Sequence, residues 1–226
     1  MEQIIIVVAV LPLISALLIQ IFAGRIGRGI ARFSVAITTL SFLLAGLLLS
    51  FSLAGHGPQT LTLGNSTAIM LFDPLSTLLA TVILGISLIV HIYSVRYMAE
   101  EDAYGQFFVL LDLMTGALLF MVIAGDLITL VIAWYLVGVL LYFLLGHDTR
   151  SQTAYRFAFW TLITYRIGDI PLILAAALLY NAYDTWSLTT IFTEIMANPG
   201  AHQFLGLPLT EVVAALIGLA AFARSA

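Results

Sequence analysis

Apolar residues run along this chain in long uninterrupted stretches, broken only by short polar or turn-rich connections. The stretches lie at about 3–23, 30–54, 73–96, 106–124, 126–146, 157–181 and 208–226. A helix needs roughly 20 apolar residues to cross ~30 Å of hydrocarbon, and all seven stretches reach or approach that length. Within them the apolar residues are continuous and do not alternate as barrel strands do. The pattern therefore predicts an all-α, polytopic transmembrane helical bundle of about seven spans, a single transmembrane domain over residues 1–226. The first stretch lacks a basic leader region and a small-residue cleavage site before a polar mature domain, so it reads as a spanning helix.

Composition sharpens the class. Of 226 residues, 62% are hydrophobic and 9% charged, with a mean hydropathy of +1.12. Too little polar material is present to cover a soluble globule. Eight basic residues against twelve acidic ones leave no phosphate-binding face, which excludes a nucleic-acid binder. No cysteine is present, so thiolate metal sites and cysteine nucleophiles are excluded. No cofactor motif, haem-ligand pair or phosphate-cradling glycine loop stands out, and the expectation is no cofactor and no metal.

Every basic residue is an arginine. Arg25, Arg28 and Arg32 fall between the first two stretches, Arg96 between the third and fourth, and Arg150 and Arg156 between the fifth and sixth. The alternate connections carry none. The positive-inside rule then predicts those loops in the cytoplasm, Met1 outside, and a multi-pass protein of the cell inner (plasma) membrane. The longer connections at about 55–72 and 182–207 would be external, with turn residues at Gly55, Gly57, Pro58, Asn198, Pro199 and Gly200. Within the second, Thr185–Met196 suits a short interfacial helix with Trp186 at headgroup level. Asn65-Ser66-Thr67 matches a glycosylation sequon, a pattern too common to weigh.

Ionisable residues inside the membrane are expensive, at least ~2.5–3.5 kcal/mol near the centre on insertion scales, and usually face a partner or a watery path. Asp112, Arg166, Asp169 and Arg224 qualify, and His91 near a helix end does so less clearly. Arg166 and Asp169 are three residues apart and share a helix face. They suit either a structural ion pair or part of a charge relay. Arg166 would lie about 14 Å in from the cytoplasmic end at ~1.5 Å per residue. Asp112 is expected as a carboxyl bonded to a neighbouring helix or as a functional acid, and His91 as an interfacial hydrogen-bonder or a proton-path member. Trp134 and Trp160 read as packing or lipid-facing residues. Asp73, Asp126 and Asp148 would meet water at span ends, with Asp73 and Asp126 as N-caps.

Several segments carry a resemblance. FDPLSTLLATVILGISLIVHIYSVRYMAEEDAYGQFF (72–108), GDLITLVIAWYLVGVLLYFLLG (125–146) and YRFAFWTLITYRIGDIPLILAAALLY (155–180) resemble, in order, parts of the antiporter-like proton-translocating membrane subunits. These are subunit L (chain 5) of NADH:quinone oxidoreductase, the Mrp antiporters and the membrane subunit of DAB-type inorganic-carbon complexes. AAFARSA (220–226) resembles the start of their broken seventh helix. The resemblance implies about fourteen helices in inverted, interrupted bundles, of which this chain would be the N-terminal part. It also implies proton or ion translocation beside other membrane subunits of a larger complex, in the lipid bilayer, with no cofactor held by this subunit. In the DAB setting it implies a large cytoplasmic zinc-binding partner; a structural subunit with an inactive half-channel is a third reading.

Two positions depart from the family pattern. Its Trp-Glu-x-x-Gly stands here as Trp134-Tyr135-Leu136-Val137-Gly138, and its lysine on the seventh helix falls at Arg224. Arginine does not release its proton as a desolvated lysine can, and a phenol is neutral at physiological pH. Arg166, Gly168 and Asp169 keep the family's Arg-x-Gly-Asp. The expectation is that Tyr135 lies towards the charges of the sixth and seventh helices, leaving Asp169, with Asp112 as a second candidate, as the only carboxylates for two buried arginines.

Overall fold

The computed structural model describes residues 2–27, 29–55, 59–62, 69–101, 103–147 and 151–225. Arg28, Asp148, Arg150, the Asn65-Ser66-Thr67 sequon and the turn residues Gly57 and Pro58 lie outside these described residues. Eight helices and two small hairpins follow one another along the described chain. They are α1 (Glu2–Ile26), α2 (Gly29–Leu53), β1 (Gln59–Thr62), β2 (Ile69–Phe72), α3 (Pro74–Tyr97), α4 (Tyr104–Val122), α5 (Leu127–Leu145), α6 (Gln152–Tyr183), α7 (Leu188–Ala197), β3 (Gln203–Phe204), β4 (Leu207–Pro208) and α8 (Leu209–Ser225).

Five of these helices, α2 to α6, are long and apolar enough to cross a membrane. The chain is a multi-pass membrane protein. At its ends, α1 contains a shorter apolar segment, Ile6–Phe22, and α8 has 17 residues. The largest shift from the sequence boundaries is in α6, which begins at Gln152 and runs 32 residues, because Gln152 to Arg156 continue the helix beyond the apolar run.

Local chemistry sets the helix starts. Asp73 caps α3 with a reciprocal box: its carboxylate accepts from Ser76 N at 2.6 Å, and Ser76 Oγ accepts from Asp73 N at 2.9 Å. Pro74 at the first helical position needs no hydrogen-bond acceptor. Asp126 caps α5 by accepting from Thr129 N at 2.8 Å. Contrary to the expectation of water contact, Asp126 is only 1% exposed. The connection from α6 to α7 covers it: Leu127 N donates to Trp186 O, Leu188 N donates to Gly125 O, and Asp126 pairs with Ser187 in a β-bridge.

The connection at 55–72 is more ordered than its turn residues suggest, since β1 and β2 pair antiparallel from Gln59↔Phe72 to Thr62↔Ile69. Leu71 N donates to Ile123 O, tying this hairpin to the end of α4. The second hairpin turns at Leu205 and Gly206, both with positive φ, as a two-residue turn requires. The interfacial segment is helical as α7, capped by Ser187. It buries Ile191 and leaves Phe192 and Met196 outward.

Helices α1 to α4 pack into one bundle. Val8, Ala45, Leu84 and Leu119 fill one half of it, and Ala16, Ile30, Ala31 and Phe108 the other. Small side chains line the seam of α2, with Ser34, Thr38, Ser41 and Ala45 all buried. Next, α5 packs on α4 through Ala117, Val137 and Leu140, and α6 carries α8 on its other flank.

Candidate functional site

The site is built on the middle of α6. Arg166 and Asp169 straddle the midpoint of this helix, and the three-residue spacing lays their side chains together, with Arg166 Nη1 3.1 Å from Asp169 Oδ2. Asp169 is buried, and the Arg166 side chain retains 28% of its exposure. The other carboxylate oxygen, Oδ1, accepts the indole N–H of Trp134 at 2.9 Å. Asp169 thus joins α6 to α5 through a neutral donor and holds a cation with its second oxygen.

Two arginines meet one turn of α5. The Arg166 guanidinium lies 3.7 Å from the centroid of the Tyr135 ring, and its Nη2 donates to the Tyr135 carbonyl at 3.4 Å. From α8, Arg224 Nη1 donates to the Trp134 carbonyl at 2.9 Å, with its guanidinium 4.3 Å from the Trp134 ring and 5.0 Å from that of Tyr165. Each cation therefore stacks on an aromatic face and bonds the backbone beneath it, an arrangement worth about 0.5–2 kcal/mol per cation–π contact. Arg166 Nε and Arg224 Nη2 are buried without a hydrogen-bond partner. Two guanidiniums against one carboxylate leave the cluster formally +1.

Two glycines make the convergence sterically feasible. A Cβ on Gly138 would lie 2.9 Å from Arg166 Nη2 and 3.3 Å from Tyr165 Cδ2. A Cβ on Gly168 would lie 3.0 Å from Ala223 Cβ and 3.2 Å from the Ala220 carbonyl, so α8 reaches α6 only because that position is bare.

Of the residues singled out from the sequence, Arg166, Asp169, Arg224 and Tyr135 meet here. Tyr135 lies under Arg166; Arg224 instead sits on Trp134, a residue expected only to pack. Tyr165 joins the cluster as a second face for Arg224. Neither aromatic role shows in local spacing, because both depend on how α5, α6 and α8 cross.

Asp112 and His91 lie elsewhere, contrary to the expectation that Asp112 serves the arginines. Both are fully buried within the α1–α4 bundle, with His91 Nε2 2.9 Å from Asp112 Oδ1. His91 is a hydrogen-bonder enclosed within the bundle: six residues of α3 follow it, and Phe108 packs beside it with ring centroids 6.2 Å apart. No group of three or more metal-ligating side chains occurs among the described residues.

Comparison with known proteins identifies the family of these segments. The family described as NADH-Ubiquinone oxidoreductase (complex I), chain 5 N-terminus matches residues 62–108, and that described as NADH:quinone oxidoreductase/Mrp antiporter, TM matches residues 124–224. The second match contains the whole α5–α6–α8 cluster. A probable inorganic carbon transporter subunit DabB1 from Halothiobacillus neapolitanus is 50% identical over 220 residues, 97% of this chain and 39% of that protein. The Mrp complex of Dietzia sp. DQ12-45-1b contains a chain of similar fold, with a TM-score of 0.75 and 25% identity over 98% of this chain and 23% of that one. The archaeal membrane-bound sulfane sulfur reductase, a respiratory membrane complex, shares the fold with a TM-score of 0.82 and 20% identity, over 96% of this chain and 44% of that one. The chain thus spans about two fifths of the length of that curated relative.

Proposed function

Because the chain belongs to the antiporter-like membrane subunit family of NADH:quinone oxidoreductases and Mrp antiporters, we propose that it works as a proton-translocating subunit of a complex I-type assembly. The observation that carries this reading is the charged cluster of Arg166, Asp169 and Arg224 around Trp134, halfway along α6. Buried charge in a membrane helix is retained at a cost and marks an ion pathway by default. In this reading Arg166 and Arg224 are fixed charges, since guanidinium keeps its proton. The Asp169 carboxyl is the exchangeable group, and Tyr135 supplies a ring face and a backbone acceptor. The protein crosses the membrane seven times, with α1 and α8 as the outer members of the set. Its N-terminus is outside, its arginine-bearing loops are in the cytoplasm of a cell bounded by this inner membrane, and other membrane subunits pack against it.

A second reading, the membrane subunit of an inorganic-carbon complex with a large cytoplasmic zinc-binding partner, is favoured by the 50% identity to a protein of that name. One experiment addresses both. The full-length protein is purified gently with its partners, its zinc and redox centres are measured, and proton flux is followed in proteoliposomes carrying wild type or Asp169→Asn. Flux that depends on Asp169 supports translocation, and redox or zinc centres in the co-purified partners assign the complex. Equal flux from both proteins refutes the role of the cluster.

A further inference from the structure

The α1–α4 bundle encloses a second ionisable centre, apart from the α5–α6–α8 cluster. Asp112 of α4 and His91 of α3 are both 0% exposed. Asp112 Oδ2 accepts from Ser15 Oγ of α1 at 2.7 Å, and Oδ1 accepts from Ser34 Oγ of α2 at 2.9 Å. With His91 Nε2 at 2.9 Å from Oδ1, all four helices contribute one member to a single carboxyl group.

The geometry also locates the hydrogens. His91 Nδ1 lies 2.7 Å from the Ser87 carbonyl, which can only accept, so Nδ1 carries a hydrogen. A bare Nε2 facing an ionised carboxylate would oppose two acceptors at hydrogen-bond distance, so one more proton occupies the gap between Nε2 and Oδ1. Both Asp112 oxygens already accept a serine hydroxyl, the acceptor-only role of a carboxylate. The proton therefore rides on nitrogen, and the pair is an imidazolium and a carboxylate, neutral together.

We propose that His91 and Asp112 form a proton-binding site of their own, in which one proton, held as an imidazolium–carboxylate pair, clamps α3 to α4. Its release converts an attraction into lone-pair and charge repulsion at the same atoms. The clamp must then open by turning the ring or parting the helices. Among the described residues no neighbouring charge compensates for the loss. The groups bonded around the pair are Ser15 from α1, Ser34 from α2 and Ser87 from α3, with Thr115 of α4 bonded to Ser87 at 2.6 Å; all are uncharged. Where α4 meets α5, the buried contact of Ala117, Val137 and Leu140 is apolar. The site is thus a separate proton store, and its state is written into the packing of the first four helices.

The test uses the full-length protein in lipid nanodiscs with ¹⁵N-labelled histidine, the His91 signals being assigned by their loss in His91→Gln. Wild type should show both His91 ring nitrogens protonated at pH 7, whereas Asp112→Asn should show one. That variant keeps size and exchanges one acceptor oxygen for an NH2 that can donate to the bare ring nitrogen or a serine oxygen, so it should accumulate as wild type does while losing most of its proton-coupled flux. A neutral His91 in wild type overturns the ion pair, and unchanged flux in Asp112→Asn reduces the pair to a packing lock and overturns the proposal. If Asp112→Asn does not accumulate, the wild-type titration decides. Deprotonation of His91 should coincide with faster amide hydrogen exchange along α3 and α4, and exchange that stays flat through it refutes the clamp.

Discussion

Replacing Asp169 by asparagine separates charge from hydrogen bonding at the centre of α6. Asparagine can still accept the Trp134 indole through its carbonyl oxygen, so the 2.9 Å bond between α5 and α6 survives. What disappears is the negative charge 3.1 Å from Arg166, and the cluster passes from one net positive charge to two. Breaking a fully buried pair from one side costs about 3–5 kcal/mol. The Arg166 side chain keeps 28% of its exposure and can recover some hydration, which lowers the expectation to roughly 2–3 kcal/mol. That range is a factor of about 30–150 in the folded ratio. Asp169→Ala also removes the indole acceptor and should cost about 1–3 kcal/mol more. The assay is thermal unfolding and membrane accumulation of the full-length protein, with Glu100→Gln at an exposed position as the reference. Asp169→Asn melting and accumulating like Glu100→Gln would refute the reasoning, and Ala equal to Asn would show that the Trp134 bond contributes nothing.

Tyr135→Phe should be mild, within about 1 kcal/mol, since the ring face under Arg166 and the backbone acceptor both remain; Arg224→Ala should abolish most ion flux, and flux assays comparing the two would refute this if Phe were as damaging. Gly168→Ala should destabilise by about 1–3 kcal/mol through overpacking, because the new methyl meets the Ala220 carbonyl of α8; an unchanged melting temperature would refute the close packing. A cysteine placed at Leu205, 89% exposed in the second hairpin, should react with an impermeant thiol reagent from outside intact cells and one at Arg96 should not, the reverse pattern overturning the orientation.

The helices were legible because continuous apolar runs leave the backbone no other way to satisfy its N–H and C=O groups in lipid. The Arg166–Asp169 pair was legible for a similar reason, since three-residue spacing on a helix fixes neighbours without tertiary knowledge. Trp134 on Asp169 was not, because 35 residues separate them and only the crossing of α5 and α6 joins them. Asp112 illustrates the same limit. Its burial could be read from its apolar surroundings, but its partners Ser15, Ser34 and His91 come from three other helices, and serines in an apolar run announce nothing. Asp126 misled for the opposite reason: a capping residue at a span end meets water unless another connection folds over it, as the segment around Ser187 does here.

Pro171, inside α6, has no N–H to offer the carbonyl of Ile167, so the helix lacks one rung within a turn of Asp169. At ~1.5 Å per residue α6 is about 48 Å long, and this weak rung lies close to its middle. The helix therefore behaves as two arms of comparable length joined by a pliant joint. One arm carries Arg166 and Asp169 and meets the end of α8 at Gly168; the other, through Ala175, Ala176 and Leu179, is packed with α7 and the start of α8. Flexing by ~5° at such a joint moves an arm tip by about 2 Å at this rise per residue, while atoms beside the joint scarcely translate. A displacement where α7 packs on α6 would thus reach the centre as a change of angle between the two arms, beside the Asp169 carboxylate. The Trp134–Asp169 hydrogen bond and the 3.1 Å Arg166–Asp169 ion pair both lie beside this joint, and a hydrogen bond weakens steeply with angle, so the joint turns a movement at the end of α6 into an electrostatic change at its middle.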